Sequence, residues 1–185
     1  MSYATYTHLT SLLALFANAA TVMLVVVFAG SRLGIAKLAG ARDWMRDALR
    51  DAGVWVGAAV AATSTIGSLI YSEHFDLIPC RLCWYQRIAM YPLVVILLIA
   101  AGRRDTAGAR RYGIPLAFIG AAVATYHYLI QQFPSLESGA CSLEAPCSAA
   151  YVWRYGFVSI PYMALAGFAL ILTVLITTER TPSNV

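Results

Sequence analysis

Lysine is almost absent from this chain: Lys37 stands alone among 185 residues. Charge of either sign is scarce, at 12% of residues, with 9 acidic and 13 basic side chains. A soluble domain usually carries about twice that charge fraction. With 60% hydrophobic residues and a mean hydropathy of +0.69, there is too little polar surface to cover a globule in water. The same figures exclude a disordered chain, a collagen and a nucleic-acid binder, despite a pI near 9.0. Cysteine is also sparse. Four are too few for a disulfide scaffold, but enough for two redox pairs or one metal site. The first ten residues, Met1 to Thr10, hold no Lys or Arg. The basic region of a signal peptide is therefore missing, and the apolar run behind it is too long for one. We expect a retained helix.

What is present is long apolar sequence. A transmembrane helix needs about 20 mostly apolar residues, and five stretches qualify: Leu9 to Gly30, Gly53 to Tyr71, Trp84 to Ala101, Tyr112 to Phe133 and Phe157 to Thr178. Each must be helical, because hydrocarbon offers no partner to a free backbone group. Gly57, Ala58, Ala61, Gly120, Ala121 and Ala124 allow close helix approach. Pro92 and Pro115 read as residues near helix starts that can kink them. The expected fold is all-α, a polytopic five-span bundle with residues 1–52 as an N-terminal helix and basic loop, 53–178 as four further helices, and 179–185 as a tail.

Basic residues set the orientation. Arg32, Lys37, Arg42, Arg46, Arg50, Arg103, Arg104, Arg110, Arg111 and Arg180 fall on one side of a five-span chain. Arg81, Arg87 and Arg154 fall on the other. This ten-to-three split predicts a cytoplasmic basic side, with the N-terminus outside and the C-terminus inside. Within the first basic loop, Arg-Asp recurs every four residues from Arg42 to Asp51. This suits a solvated helix leading into the second span, with Trp44 at the headgroups.

All four cysteines then lie outside, where disulfides persist. Cys80 and Cys83 form Cys-Arg-Leu-Cys before the third span. Two intervening residues let a disulfide close in the first turn of a helix, where free N–H groups favour the attacking thiolate. Pro79 suits that helix start. Arg87 follows Cys83 by four residues, on the same face and one turn deeper. An ionisable residue inside a span marks function by default, although a snorkelling anchor fits its depth as well. The adjacent cysteine favours function. His127, near the outer end of the fourth span, reads by position alone as a packing residue, while His8 and His74 read as loop residues. Cys141 and Cys147 enclose five residues. A disulfide across so short a loop is sterically possible and gains little from loop closure, which favours a working bond over a staple. The aromatic run Tyr151, Trp153, Tyr155 and Phe157 suggests a segment on the membrane surface.

Pro-Cys-Arg-Leu-Cys-Trp-Tyr-Gln-Arg-Ile-Ala-Met-Tyr-Pro, residues 79 to 92, resembles the DsbB family of bacterial disulfide bond formation proteins, closest to its BdbC-type branch. His127 with Pro134, the following cysteine pair, and Gly-Phe-Val-Ser-Ile-Pro at residues 156 to 161 extend the resemblance over roughly Gly53 to Thr178. It implies a membrane thiol oxidase that passes electrons to a quinone, ubiquinone or menaquinone. By that resemblance Cys80 and Cys83 are the quinone-side pair, with Cys83 the thiolate at the ring. Arg87 would hold the quinone, with His127 and Gln86 beside it. Cys141 and Cys147 would exchange with a soluble DsbA-type thioredoxin-fold oxidase, attached through Cys141. No metal is implied. Three features depart from the family pattern. The first helix is additional to the usual four spans, Gln86 stands where relatives carry Glu, and the second cysteine pair is closely spaced.

Other readings of the residues are a vitamin K epoxide reductase-like enzyme, a protein holding a metal through its four cysteines, and a transporter with two inert disulfides. In the first of these the active Cys-x-x-Cys opens a late helix. Here it opens an earlier one.

Overall fold

Ser2 begins the first helix by accepting a hydrogen bond from the Thr5 amide, 3.2 Å away. The computed structural model describes residues 2–137, 141 and 145–178. The tail 179–185, with Arg180, lies outside the described residues. Five long helices follow in order: α1 Tyr3–Arg32, α2 Ala36–Leu69, α3 Arg81–Gly102, α4 Thr106–Gln132 and α5 Ile160–Thr177. A π-helical turn, Ile70–His74, continues α2, and a 3₁₀ turn, Pro134–Leu136, follows α4. Among the described residues there is no strand, only an isolated bridge between Arg154 and Val158. All five long helices carry a segment long and apolar enough to cross a membrane, and the protein is a multi-pass, all-α membrane protein.

Local chemistry sets the boundaries. The chain leaves α1 through Gly34 at φ +85°, where a side chain would be strained. The Ile35 amide there closes back onto the Gly30 carbonyl at 3.2 Å. α2 then begins at once, so the Arg-Asp segment is helical, as expected, and continuous with the second span. Arg42 pairs there with Asp43 at 2.8 Å. Asp105 caps α4 by accepting from the Gly108 amide at 2.8 Å. At the end of α5, the Arg110 guanidinium donates to the carbonyls of Leu175, Ile176 and Thr178, orphan acceptors that a cation satisfies well.

Three sequence readings shift. α1 starts at Tyr3 and the π-helical turn Ile70–His74 extends α2, so His8 and His74 are helical rather than in loops. Pro92 and Pro115 lie in the interiors of α3 and α4, because those helices begin earlier than their apolar runs. α5 starts at Ile160 instead of Phe157. Tyr155 and Gly156 at positive φ turn the chain, and Val158 and Arg154 exchange backbone bonds of 2.8 Å before Pro161 enters the helix.

The core runs along α2–α5. Leu93 and Leu97 of α3, Ala117 and Ala124 of α4, and Phe168, Ile171 and Leu175 of α5 are all buried. Small residues set the spacing, as expected for helices in lipid. Gly120 of α4 is a tight case, because a Cβ there would come within 2.3 Å of the Phe168 ring. α1 lies against α5 and α2, burying Ala14, Ala17 and Leu24 against Ala166, Leu170 and Val174. Outward apolar side chains such as Phe16, Ile88 and Phe118 remain exposed, as a lipid-facing surface requires. Because α3 runs from Arg81 to Gly102 and α4 returns, the cysteines gather at one end of the bundle. Arg103 and Arg104 turn at the other.

Candidate active site

The first cysteine pair is shaped by the start of α3. Cys80 is the N-cap residue, with extended backbone, and its sulfur accepts from the Cys83 amide at 3.3 Å. The end of a helix leaves such amides without partners, so the sulfur occupies the position a capping oxygen would take. The two sulfurs are unbonded and 2.8 Å apart. Cys80 is 3% exposed. Its thiol is held well below the ordinary range, first by the hydrogen bond from Cys83 and then by His127, against the opposing effect of burial. Two groups that favour a thiolate, the Cys83 amide and His127, thus converge on the Cys80 sulfur.

His127 joins the two cysteine pairs. It reaches the pair from α4 and is 2% exposed. Its Nε2 is 3.6 Å from the Cys80 sulfur and 3.1 Å from the Cys147 carbonyl oxygen. Its Nδ1 is 3.0 Å from Nε2 of Gln86, which is also buried. The packing role suggested by position alone understates this contact set. Gln86 and His127 form one buried polar unit behind Cys80, and position in the sequence did not join them.

Cys141 and Cys147 form a disulfide. Cys147 is fully buried and Cys141 half-buried. The Cys147 sulfur, the Cys80 sulfur and a ring nitrogen of His127 all lie within 4.8 Å of one another. Cys80, Leu82, Ile130, Ala145 and Cys147 pack as one small apolar cluster, with Cys83 and Cys141 against it. All four sulfurs thus share one site. The disulfide removes two of the four thiolates that a tetrahedral metal site would need.

Arg87 sits one turn below Cys83 and is half-buried. Its Nε donates to the Ser68 hydroxyl at 3.0 Å and a terminal nitrogen donates to the Ser68 carbonyl oxygen at 3.1 Å. Its guanidinium lies 5.3 Å from the Trp84 ring centroid, a cation–π distance. These contacts hold the side chain against α2. Ser68 was missed by sequence reasoning. The only signal for it is a hydroxyl in the small-residue run of the second span.

Cys83, Gln86, Arg87 and Ser68 open onto one cavity of about 360 Å³. That is within the range of small-molecule sites, roughly 300–1,000 Å³. Met90, Tyr91, Met163 and Phe168 contribute further wall. Cys80 does not line it. The pair is therefore two-faced: Cys83 meets the cavity, and Cys80 meets His127 and the second pair.

Two adjoining cysteine pairs at one end of a membrane helix bundle define a membrane thiol–disulfide oxidoreductase. Comparison with known proteins agrees. The family model for disulfide bond formation protein DsbB matches residues 50–178, and the chain belongs to that family. It is 47% identical over 120 residues to the "Probable disulfide formation protein" of Oceanobacillus iheyensis, covering 64% of this chain and 80% of the relative. It is 46% identical over 119 residues to "Disulfide bond formation protein C" of Bacillus subtilis, covering 64% and 83%. No solved structure matches.

Proposed function

We propose that the protein reoxidises a soluble thioredoxin-fold thiol oxidase of the DsbA type and delivers the electrons to a membrane quinone. The observation that carries this reading is the linear order of groups: half-buried Cys141, buried Cys147, Cys80 within 4.8 Å of it, and Cys83 opening onto the Arg87 cavity. The bacterial relatives and the ten-to-three split of basic residues support a cytoplasmic membrane location with the cysteine end outside.

Disulfide exchange needs a thiolate and an accessible sulfur. The partner's thiolate attacks Cys141, and Cys147 leaves as a thiolate. The partner's second thiol displaces Cys141, so the partner departs with a disulfide and the outer pair is left as a dithiol. Cys147 then attacks Cys80 of an oxidised Cys80–Cys83 pair and expels Cys83 as a thiolate. Cys141 attacks Cys147, releasing Cys80 and restoring the outer disulfide. Two electrons now reside on the inner pair, which is the arrangement of bonds found here.

The cavity fits a quinone. Its wall is mostly apolar, and the Arg87 guanidinium, the Gln86 amide and the Ser68 hydroxyl stand together beside one sulfur, with further hydroxyls such as Ser64 and Tyr91 in the lining. A bound quinone would supply a two-electron, two-proton acceptor, becoming quinol as Cys80 and Cys83 close to a disulfide. Arg87 would bind and orient an oxygen that gains negative charge. The two sulfurs are 2.8 Å apart, so a proton can pass from Cys83 to Cys80 and leave Cys83 as the nucleophile on the cavity side. Cys80 must give that proton up before it closes on Cys83, and a hydrogen bond from His127 Nε2, in contact with its sulfur, would steady the closing thiolate.

The test is an anaerobic assay of the purified protein with a reduced thioredoxin-fold dithiol oxidase and a tail-less benzoquinone. Quinol should form in equal amount to the dithiol consumed, and Cys83→Ser should abolish it. Dithiol oxidation that proceeds equally without quinone, or no quinol at all, would refute the reading.

A further inference from the structure

α1 lies outside the region matched to the family, which begins at residue 50, yet it forms part of the wall of the same cavity. Thr10, Leu13, Ala14, Phe16 and Ala17 line it from α1. Across from them stand Val56, Ala59 and Val60 of α2, with Leu170 of α5 below. Val56 and Ser68 are about 18 Å apart along α2, at 1.5 Å per residue. The cavity is therefore an elongated space and not a compact ring slot. Its polar groups are concentrated at the Ser68–Arg87 end. The α1 residues from Leu13 onward contribute only hydrocarbon.

At its upper end α1 is tied to α2 and the turn that continues it by two hydroxyl contacts. The Tyr6 hydroxyl donates to the Gly67 carbonyl oxygen at 3.0 Å, and the Thr10 and Tyr71 hydroxyls are 2.7 Å apart. Below them α1 turns its small residues, Ala14 and Ala17, onto α5. Small side chains also line α2 here, at Ala59, Thr63 and Ser64. Phe16 is 73% exposed and Leu13 46%, and both line the cavity. Its mouth therefore faces sideways at the level of the lipid-facing surface, between α1 and α2.

We infer that α1 builds a tail subsite: the groove between α1, α2 and α5 takes the isoprenoid chain of the quinone and leads it out to the bilayer. The inference rests on the proposed quinone reaction and deepens it. An elongated apolar space continuous with the Cys83–Arg87 end suits an amphipathic molecule whose ring and tail differ in this way. A phospholipid acyl chain has the same chemistry as the tail, so the test separates the two.

The full-length protein is purified and given a benzoquinone bearing a decyl chain that ends in a diazirine. After illumination, peptide mass spectrometry should find label on residues 13–17 of α1 and 56–60 of α2. An excess of unlabelled decyl quinone should displace it. Label confined to α3 and its Arg87 turn would overturn the tail subsite while leaving the quinone reaction standing. No label in the cavity, with no quinol formed, would overturn both. Label from a diazirine-bearing phospholipid at these residues, undisplaced by quinone, would assign the groove to lipid and overturn the inference.

A second arm uses Ala59→Trp. Ala59 is exposed and lines the mouth, so the larger ring fills open space and displaces no core. The variant should raise KM for the decyl quinone about tenfold, as losing burial of about two methylenes would. It should leave KM for the tail-less ring within about twofold. Equal effects on both quinones, or none on either, would overturn the inference.

Discussion

The Nε2 of His127 lies 3.6 Å from the sulfur of Cys80, and this one contact ties the last turns of the fourth helix to the start of the third. Behind the ring, the Gln86 amide nitrogen is 3.0 Å from Nδ1. An amide N–H donated there fixes the tautomer, leaving the Nε2 proton for the sulfur or for the Cys147 carbonyl oxygen. The imidazole thus presents a donor to a sulfur whose thiolate it favours.

That charge should be visible on titration. With the outer disulfide intact, the reduced inner pair should carry a thiolate at neutral pH, seen as ultraviolet thiolate absorbance. An ordinary thiol titrates near 8.5, and the Cys80 value is lowered. The signal should therefore persist well below that pH and disappear only as pH falls through the lowered value. His127→Ala removes a group that lowers it and should shift the midpoint upward. Cys80→Ser should remove the low-pH signal. A midpoint unchanged in His127→Ala would break the assignment.

Exposure of the outer pair predicts which sulfur meets the partner. Cys147→Ser leaves Cys141 free and should accumulate a mixed disulfide with the thioredoxin-fold substrate on a non-reducing gel. Cys141→Ser should trap none, since Cys147 is fully buried. Trapping through Cys147 would reverse the proposed order.

Arg87 and Ser68 should act on the acceptor and not on exchange with the partner. Losing a charge-assisted hydrogen bond costs about 1.5–3 kcal/mol, so Arg87→Ala should raise the quinone KM by about 10- to 100-fold. Ser68→Ala loses only an orienting contact and should cost a few-fold at most. Mixed-disulfide formation at Cys141 should be unchanged in both. If Arg87→Ala slows partner exchange as much as quinone reduction, its role is structural.

Helix packing offers a check on the fold. Gly120→Ala drives a methyl group into the buried Phe168 ring, and overpacking of this kind costs about 1–3 kcal/mol. Its thermal unfolding in detergent should come earlier than wild type. Gly40→Ala has open space around its Cβ and ordinary φ. It should be neutral or slightly stabilising, as helix propensity predicts. Equal behaviour of the two would mean the α4–α5 contact is looser than described.

Hydropathy alone located all five spans, because a run of some 20 apolar residues has few other uses. Their ends were less legible. Asp105 and Ser2 cap helices that start several residues before the apolar run, so composition could not find them. The Cys-Arg-Leu-Cys motif was readable because its chemistry is local: two sulfurs, one helix end, and an Arg a turn away. Pairings between helices were not. Nothing near Arg87 in sequence points to Ser68, 19 residues earlier, and nothing near His127 points to Gln86, 41 residues earlier. Nor does the composition of α1 say which neighbours it packs on. Periodicity marks an apolar face without naming its partner.

Cys80 at 3% and Cys147 at 0% exposure are shut away from small solutes. A tripeptide thiol or dissolved oxidant approaching the bundle can touch the outer bond only through Cys141. The two inner sulfurs of the relay are thus sheathed from water, and Cys83 beyond them meets only the largely apolar cavity. A short circuit by the cell's soluble redox buffers must first pass for a docking protein.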